Sequence, residues 1–401
     1  MKTHVHDPDR RRLLRGAAAI GGAAALGGFL PAIARAQSER IRLGLMLPFT
    51  GTYAQLGVAI ENGLRLAVDE KGGKLGGRQV EYFKVDDESD PAKATDNANR
   101  LITRDKVDVL IGTVHSGVAL GMVRVVRETG TLLMIPNAGA DAATGPLCAP
   151  NVFRTSFSNW QPVHPLGKVM AERGHKRAAF ITWKYAAGEE SLVSFKEGFG
   201  NAGGKVVKEL FLPFPNVEFQ ALLTEIANTR PDAVACFFAG AGAVKFVKDY
   251  AAAGLKEKIP LYGSGFLTEG VLAAQGDAAE GLLTTLHYSD SLDLARNKAF
   301  RAAYSKAFKM NADVYAVQGY DTGLLLLHAF EKTRGNVDKG ALVEAMSAAV
   351  IDSPRGQWRM SKAHNPIQDI YLRRAEKGEN KVLGVAWKAL EDPARGCKMG
   401  A

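Results

Sequence analysis

The sequence has few cysteines and no arrangement of them that suits a metal. Three cysteines occur in 401 residues, Cys148, Cys236 and Cys397, and no pair has the short spacing of a metal-ligand motif. Cys236 lies in the apolar run 233–238, where a small buried thiol is the expected interpretation. Cys148 and Cys397 lie in polar, loop-like sequence, and an oxidising compartment would permit a disulfide between them.

The chain also lacks a block of basic residues beyond its first 36 positions. It carries 51 basic and 42 acidic residues, and removing the six basic and two acidic residues of positions 1–36 leaves 45 and 40, a formal charge of +5. The charges are scattered, and no basic stripe alternates with aromatic residues. These features make nucleic acid a poor partner. No segment after residue 36 reads as a membrane span.

The first 36 residues have the pattern of an export signal. The adjacent arginines Arg10 and Arg11 precede an apolar run rich in alanine and glycine from 17 to 30. About 14 weakly apolar residues fall short of the roughly 20 that a membrane-spanning helix requires. The arrangement resembles a twin-arginine signal peptide. We predict cleavage between Ala36 and Gln37 and a location in the periplasm.

The remaining chain alternates short apolar runs with longer amphipathic stretches, which predicts an α/β fold. Continuous apolar runs such as 107–111 and 132–135 are typical of parallel strands with helices on both faces. Asp90 followed by proline marks a helix start. One series of strands and helices covers 41–136, and a second covers 178–262. Because the chain exceeds the usual size of one core, we expect two doubly wound parallel-sheet lobes.

Two segments are expected to cross between the lobes, 151–165 and 284–293. We place a hinge in these segments, near Phe157 and His287. Lobes joined in this way enclose a cleft, and ligands of open α/β sheets bind beyond the carboxyl ends of the strands. The predicted divisions are residues 37–156 with 288–355 for lobe 1, residues 157–287 with 356–395 for lobe 2, and residues 396–401 for a C-terminal tail.

Motifs of common enzyme classes are incomplete in this sequence. The stretch 112–117 resembles the start of a phosphate-binding loop, but Val118 and Ala119 stand where lysine and serine or threonine are required. Lys245 occupies the third glycine position of a dinucleotide-binding fingerprint. The acidic triplet 86–88 is explained more simply as a hydrated loop than as a metal site. We therefore expect neither an enzyme nor a bound cofactor or metal.

A series of ordered segments resembles the branched-chain amino acid binding proteins of bacterial ABC importers. The resemblance covers nearly all of the chain after residue 36. It implies a type I periplasmic binding protein fold, in which a receptor closes two lobes on a small solute and presents it to a permease in the inner membrane. Receptors of this kind are usually monomers. The segments are 47–57, 61–63, 69–73, 86–91, 111–112 with Ser116, 136–140, Tyr185 with Gly188, 252–254, 279–281 and 319–320.

Two loops of the first lobe are predicted to hold a carboxylate. The loop 113–117 ends a strand and opens a helix, so free backbone N–H groups and the helix dipole converge on an anion there. By resemblance, Ser116 donates its hydroxyl, and the loop 137–140 completes the site with the backbone of Ala138 and Ala140. Without the resemblance, such turns would be interpreted as plain strand–helix connections. The residues assigned to the carboxylate are Ser116, Gly117, Asn137, Ala138, Gly139 and Ala140.

The second lobe departs from the family at the position that binds an amino group. By resemblance, Tyr185 and Phe238 contact the ligand. Amino acid receptors of the family then carry a glutamate that binds the ligand's ammonium, and Gly265 is aligned with it here. Glu269 could substitute, but a carboxylate at a helix start is its simpler interpretation. A buried unpaired ammonium would cost several kcal/mol, so the sequence disfavours α-amino acids.

A small aromatic carboxylate is therefore the favoured ligand, and the chain resembles the branch of the family associated with benzoate and hydroxycinnamate derivatives. His115 could donate to the carboxylate or to a ring hydroxyl, or could be a bystander. One alternative is a receptor for amino acids or for amide- or urea-like solutes that uses Glu269. Another is a periplasmic enzyme or sensor on the same fold. The side chains expected to form flat apolar walls, or else to fill the core, are Tyr53, Phe238, Phe266 and Tyr315.

Overall fold

The computed structural model describes residues 40–399 of the chain. The predicted export signal and its cleavage site after Ala36 lie outside these residues. Among the described residues, no helix has both the length and the apolar character that a membrane span requires. The described chain forms two lobes, each built on one β-sheet, which confirms the predicted two-lobe α/β fold.

Lobe 1 is built on a six-stranded sheet. The strands are β1 (Arg40–Leu47), β2 (Lys74–Leu75), β3 (Arg78–Asp86), β4 (Val109–Ile111), β5 (Leu132–Ile135) and β6 (Val152–Arg154). Their spatial order is β2-β3-β1-β4-β5-β6. The helices between them are α1 (Ala54–Asp69), α2 (Ala94–Asn99), α3 (Ser116–Thr129) and α4 (Asp141–Thr144). All residues of β4 and β5 are buried, as expected for strands covered on both faces.

Lobe 2 is built on a nine-stranded sheet. The first five strands are β7 (Arg177–Lys184), β8 (Lys205–Pro213), β9 (Ala233–Phe237), β10 (Leu261–Ser264) and β11 (Leu283–Leu286). The last four are β12 (Val350–Ser353), β13 (Gly356–Met360), β14 (Pro366–Glu376) and β15 (Glu379–Leu390). The helices of this lobe are α5 (Trp160–Glu172), α6 (Ala186–Asn201), α7 (Gln220–Thr229), α8 (Gly240–Ala252) and α9 (Leu272–Gln275).

Both sheets are mixed, whereas the sequence predicted parallel sheets. In lobe 1, β2 pairs antiparallel with β3. In lobe 2, β14 pairs antiparallel with β11, and β12, β13 and β15 extend the sheet as antiparallel strands. The connections 354–355 and 377–378 are two-residue turns, which can join only antiparallel neighbours. The lobe boundary predicted after residue 355 therefore falls inside the β12–β13 hairpin, and β12 belongs to the larger sheet.

Three later helices follow β11 before the chain returns to the sheet of lobe 2. They are α10 (Ala295–Phe308), α11 (Val314–Lys332) and α12 (Lys339–Ser347). Helix α11 crosses α1 at very short range, because glycines occupy both sides of the crossing. A Cβ atom on Gly63 would lie 1.9 Å from the carbonyl oxygen of Ala316, and one on Gly319 would lie 1.9 Å from that of Ile60. Helix α11 is therefore fixed against lobe 1.

A disulfide joins Cys148 and Cys397, whose Cα atoms are 5.5 Å apart. Cys148 lies between α4 and β6 of lobe 1, and Cys397 lies beyond β15, the last strand of lobe 2. The chain after β15 is thus covalently attached to lobe 1. Cys236 is a buried free thiol in β9.

Candidate functional site

A cavity lies between the lobes, where strand ends and helix starts of lobe 1 face those of lobe 2. Its empty space amounts to about 290 Å³, part of which is open to solvent. The residues that line it are Tyr53, Leu56, Val114, Ser116, Asn137, Gly139, Phe157, Asn159, Tyr185, Ala187, Phe237, Ala239, Phe266 and Tyr315. None of these described lining residues is charged, so the cavity is built from aromatic, aliphatic and neutral polar groups.

One end of the cavity is the N-terminus of helix α3. Ser116 is the first residue of this 14-residue helix, and its hydroxyl oxygen lies 3.4 Å from the amide nitrogen of Asn159. The preceding residue, His115, caps the helix, because its Nδ1 accepts a hydrogen bond from the backbone N–H of Gly117 at 3.1 Å. The partial positive charge of the helix start is therefore directed at the cavity through Ser116.

The loop 137–140 forms the adjacent wall, and a buried arginine holds it in place. The guanidinium of Arg154 donates to the carbonyl oxygens of Ala138, Ala140 and Phe157 at 3.3, 2.8 and 3.0 Å. These carbonyls therefore point to Arg154 inside lobe 1. Gly139 lines the cavity instead, and a Cβ atom on it would lie 2.2 Å from Oδ1 of Asn159 and 2.7 Å from the ring of Phe157.

A chain of hydrogen bonds orients the amide of Asn137. Its Nδ2 donates to Oε1 of Gln318 at 2.7 Å, and Nε2 of Gln318 lies 3.3 Å from Nε2 of His287. Burial, together with the charges of Arg355 and Arg373, holds the pKa of His287 well below its ordinary value, so the ring is neutral. Because an amide nitrogen can only donate, His287 accepts at Nε2 and carries its proton on Nδ1.

Aromatic side chains form the walls of the cavity. The ring of Phe266 lies 4.7 Å from that of Phe157, 6.0 Å from Tyr315 and 6.3 Å from Phe237, measured between centroids. Such spacings are typical of favourable aromatic contacts. The hydroxyls of Tyr53 and Tyr185, which also line the cavity, are hydrogen-bonded at 3.0 Å. The lining of the cavity is therefore largely aromatic.

Seven of the twelve ligand-binding residues predicted from the sequence line the cavity. The seven are Tyr53, Ser116, Asn137, Gly139, Tyr185, Phe266 and Tyr315. The other five do not line it, namely His115, Gly117, Ala138, Ala140 and Phe238.

Each of these five residues has a structural contact elsewhere. His115 stacks on Tyr185 with ring centroids 4.7 Å apart, and Gly117 donates to His115. Ala138 and Ala140 give their carbonyls to Arg154. Phe238 packs in the core of lobe 2, and its neighbour Phe237 takes the place on the cavity that the sequence assigned to it.

Several lining residues were not predicted from the sequence, chiefly Asn159 and Phe237. Phe157 was assigned to the hinge and also lines the cavity. Asn159 belongs to the same crossing segment, and its signal was available, because a segment that crosses between lobes must border the cleft. Phe237 is adjacent to Phe238, and successive residues of an extended strand point to opposite faces. A prediction that is wrong by one residue at this strand end therefore assigns a core residue, Phe238, to the cavity in place of Phe237.

Position 265 has no space for the glutamate that amino acid receptors carry there. A Cβ atom on Gly265 would lie 2.4 Å from Nη2 of Arg373 and 2.5 Å from Cβ of Leu286. Glu269 lies outside the cavity lining and is fully engaged. Its Oε2 pairs with Nη1 of Arg373 at 2.6 Å, and its Oε1 accepts from the backbone N–H of Val314 at 2.8 Å. Glu269 thus accepts a hydrogen bond from the first residue of α11 and stabilises the start of that helix.

Comparisons with known proteins agree with this architecture. A solute-binding protein of an ABC transporter from R. palustris, solved in complex with benzoate, is 52% identical, with a TM-score of 0.88 over 90% of this chain and 99% of its own. A second, from Rhodopseudomonas palustris BisB5, solved in complex with 3,4-dihydroxybenzoic acid, is 32% identical, with a TM-score of 0.84 over 88% of this chain and 99% of its own.

Curated relatives of this chain are named as homologues of Leu/Ile/Val-binding proteins. The Leu/Ile/Val-binding protein homolog 6 of Brucella melitensis is 30% identical over 363 residues, which are 89% of this chain and 93% of that protein. The sequence profile of the periplasmic binding protein family matches residues 40–380. With the two-lobe fold and the cavity between the lobes, these matches show that the chain belongs to the periplasmic binding protein family.

Proposed function

We propose that the protein is the solute receptor of an ABC importer and that it binds a small aromatic carboxylate by closing its two lobes. The observation that carries this proposal is the cavity itself. It combines aromatic walls with the N-terminus of α3, and no acidic side chain is found among its described lining residues.

The carboxylate would bind at the α3 end of the cavity. The hydroxyl of Ser116 lies there and accepts a hydrogen bond from Nδ2 of Asn159, which leaves its own O–H to donate to the ligand. The amide of Asn159 also donates to Glu190. The Ser116 hydroxyl and the helix dipole would therefore stabilise the carboxylate. Asn137, oriented by Gln318, adds a further polar group to this end.

The ring would lie against the aromatic side chains of the cavity lining, which include Tyr53, Tyr185, Phe157 and Phe266. The solved relatives support this ligand class, because they contain benzoate and 3,4-dihydroxybenzoic acid. The relative with benzoate is also much more similar in sequence than the Leu/Ile/Val-binding homologue, at 52% against 30% identity.

The alternative ligand is a branched-chain or other amino acid, or an amide- or urea-like solute. The name of the curated relative, a Leu/Ile/Val-binding protein homologue, agrees with the branched-chain amino acids. For an amino acid, this alternative needs an acidic partner for the ammonium. Glu269 is occupied by Arg373 and Val314, and position 265 is sterically blocked. Burial of an unpaired ammonium is strongly unfavourable. The geometry therefore favours the aromatic acid.

Closure would bring lobe-to-lobe contacts together around the ligand. The Tyr53–Tyr185 hydrogen bond connects the lobes at the cavity, and the carbonyl of Thr52 approaches Gly240 so closely that a Cβ atom would lie 2.7 Å from it. A hinge in the crossing segments near Phe157 and His287 would let these contacts separate. Ligand that bridges both lobes shifts the population to the closed form.

The receptor would act in the periplasm, exported through its twin-arginine-type signal and cleaved after Ala36. In the closed form, the surfaces of both lobes would dock on a permease in the inner membrane, with the receptor as a monomer. This assignment is supported by the family and by the solved relatives, which are solute-binding proteins of ABC transporters.

The decisive experiment is titration calorimetry with residues 37–401, unfolded and refolded to remove bound solute. The titrants are benzoate, hydroxybenzoates, hydroxycinnamates, leucine and valine. We expect heat of binding with aromatic acids only. We also expect Ser116→Ala to weaken that binding about 10- to 100-fold, the usual effect of losing one hydrogen bond to a charged group. Tight binding of leucine without any response to aromatic acids would refute the proposal.

A thermal-shift screen gives an independent check. A ligand at 100 times its dissociation constant adds about 2.7 kcal/mol to the free energy of unfolding, which corresponds to a rise of a few degrees. The variant Glu269→Gln distinguishes the alternative, because a receptor that used this carboxylate for an ammonium would lose amino acid binding specifically. A protein without that role would lose only stability, through the broken contact with Arg373.

A further inference from the structure

The hydroxyl of Tyr315 is buried in the cavity wall without a protein partner. Tyr315 is 1% exposed, and its hydroxyl makes no hydrogen bond with any of residues 40–399. The other two tyrosines of the cavity, Tyr53 and Tyr185, satisfy each other. A buried polar group without a partner is costly and is rare in folded proteins. The hydroxyls of Tyr82 and Tyr304 also lack a partner among the described residues, but of these three tyrosines only Tyr315 lines the cavity, where a ligand can supply one.

The backbone on both sides of Tyr315 is held by hydrogen bonds. Tyr315 is the second residue of α11. The N–H of Val314 donates to Glu269, and the N–H of Ala316 donates to Asp313, at 2.8 and 2.9 Å. The ring packs against Phe266. The side chain is thus held in the cavity wall by two caps and an aromatic contact.

The charges around Tyr315 disfavour a carboxylate at its hydroxyl. Burial raises the pKa of Tyr315 well above its ordinary value, and the charges of Asp313 and Glu269 raise it further, opposed by Arg373. Glu269 is paired with Arg373, whereas Asp313 caps α11 and has its pKa raised to about 7, chiefly by burial. The phenol stays protonated, and a neutral oxygen suits this position better than an anion.

The α3 end of the cavity and the Tyr315 position therefore differ in their electrostatic character. The α3 end presents a helix N-terminus and the hydroxyl of Ser116, which favour an anion. The Tyr315 position presents a neutral hydroxyl beside acidic groups. A ligand that satisfies both positions has a carboxylate at one side of its ring and a neutral hydrogen-bonding group at another.

We propose that Tyr315 recognises a hydroxyl group on the ring of the ligand, so that the receptor prefers hydroxylated aromatic carboxylates to unsubstituted ones. This inference rests on the proposed function and names its substrate class more narrowly. An unsubstituted ring would leave the Tyr315 hydroxyl unpaired in the closed cavity, and sites built around a hydrogen bond reject ligands that lack it.

The test compares benzoate, 3-hydroxybenzoate and 4-hydroxybenzoate in calorimetric titrations of the wild type and of Tyr315→Phe. We expect the wild type to bind at least one hydroxybenzoate about 3- to 10-fold more tightly than benzoate. In Tyr315→Phe this preference should disappear, through weaker binding of the hydroxybenzoate, while the affinity for benzoate stays the same or improves. Tyr304→Phe is the matched control, because Tyr304 is a buried tyrosine of α10 outside the cavity lining.

The other outcomes are distinct. Equal losses for benzoate and the hydroxybenzoates in Tyr315→Phe would place the ligand carboxylate at Tyr315 and overturn the inference. Unchanged preference in the variant, or a wild type that prefers benzoate, would overturn it as well. Failure of every aromatic acid to bind the wild type would overturn the proposed function itself. Melting temperatures of all variants identify any effect that arises from misfolding.

Discussion

The carboxylate of Glu190 in lobe 2 accepts a hydrogen bond from the backbone N–H of Asp141 in lobe 1, with Oε2 and N 3.0 Å apart. The same Oε2 accepts from Nδ2 of Asn159 at 2.6 Å, and Asn159 lines the cavity. Glu190 thus connects the two lobes directly beside the binding site. The carboxyl groups of Glu190 and Asp141 therefore lie near each other, and neither is fully hydrated. The side chain of Asp141 accepts a hydrogen bond from the backbone N–H of Trp160.

This pair predicts that ligand affinity depends on pH. Burial raises the pKa of Asp141 well above its ordinary value, and the charge of Glu190 raises it further. Burial also raises the pKa of Glu190, although Asn159, the backbone of Asp141 and Arg154 oppose this. The closed form therefore binds more protons than an open form with hydrated carboxyls. Closure is favoured at low pH and weakens as the pH rises from the ordinary carboxyl range of about 4 through the raised values.

We expect the dissociation constant for an aromatic acid to rise between pH 5 and pH 8, by at most about tenfold per pH unit for each proton released. Glu190→Gln should reduce this dependence, because glutamine keeps an acceptor for Asp141 and Asn159 but carries no charge. Calorimetry at three pH values measures the effect. Glu189→Gln is the control, since Glu189 is its exposed neighbour on α6. Identical pH profiles for the wild type and Glu190→Gln would contradict the prediction.

A second prediction concerns the space at Gly139. A Cβ atom there would lie 2.2 Å from Oδ1 of Asn159 and 2.7 Å from the ring of Phe157, and both residues line the cavity. Gly139→Ala must displace one of them. We expect ligand affinity to fall at least about tenfold, which corresponds to about 1.4 kcal/mol of binding free energy.

The control for this substitution is Gly200→Ala. Gly200 lies in α6, and an added Cβ atom would have nothing within 4 Å. Alanine is the better helix former, so this variant should bind ligand normally and should be slightly more stable. If Gly139→Ala bound ligand as tightly as the wild type, the lobes would have to close without the contact between Gly139 and Asn159.

Much of the architecture was predictable from local pattern. The buried strands β4 and β5 are continuous apolar runs, and the helix that begins at Ser116 follows the short loop after β4. The antiparallel strands at the C-terminus were not predictable in the same way. Runs such as β14 specify a strand, but the choice of neighbour depends on where the rest of the sheet ends. That choice follows from packing between distant segments and leaves no local signature.

In the candidate site, too, some residues were predictable from local sequence and others were not. Loop residues such as Ser116 and Gly139 were found because turns that end parallel strands meet at one edge of the sheet. Phe237 was missed in favour of Phe238, because the end of an apolar strand does not reveal which face each residue takes. Arg154, which fixes the loop through three carbonyls, was also missed. A buried arginine that binds backbone has no motif, because any loop with free carbonyls can bind it.

A third prediction concerns His115 and stability. Burial lowers the pKa of His115 to about 4, although the charge of Asp90 acts in the opposite direction. In the unfolded chain the pKa is about 6.5, so the unfolded chain binds a proton first as the pH falls. The wild type should lose on the order of 3 kcal/mol of unfolding free energy from this group between pH 7 and pH 4. Below pH 4 the loss should level off.

His115→Asn isolates this contribution, because asparagine also caps helices well but does not titrate. Urea unfolding of both proteins at pH 7 and pH 4.5 gives the comparison. We expect the wild type to lose more stability than the variant over this interval, and the difference cancels the effects of all other titrating groups. Equal losses would show that His115 is protonated as easily in the folded protein as in the unfolded chain.

The last prediction concerns the bond between Cys148 and Cys397, which closes a loop across a sequence separation of 249 residues. The segment after β15 also holds lobe 2 through Arg395, whose guanidinium donates to Glu197 on α6 at 2.7 Å. The disulfide therefore connects the end of lobe 2 to lobe 1 in addition to the chain crossings. Cys148→Ser should lower the free energy of unfolding by about 2–4 kcal/mol. It should also allow a wider open form, visible as a larger radius of gyration in X-ray scattering without ligand.

The double variant with Cys397→Ser is the control, because two changes that break one bond are not additive. Its stability should equal that of the single variant, whereas additive losses would mean that the two cysteines act independently in solution.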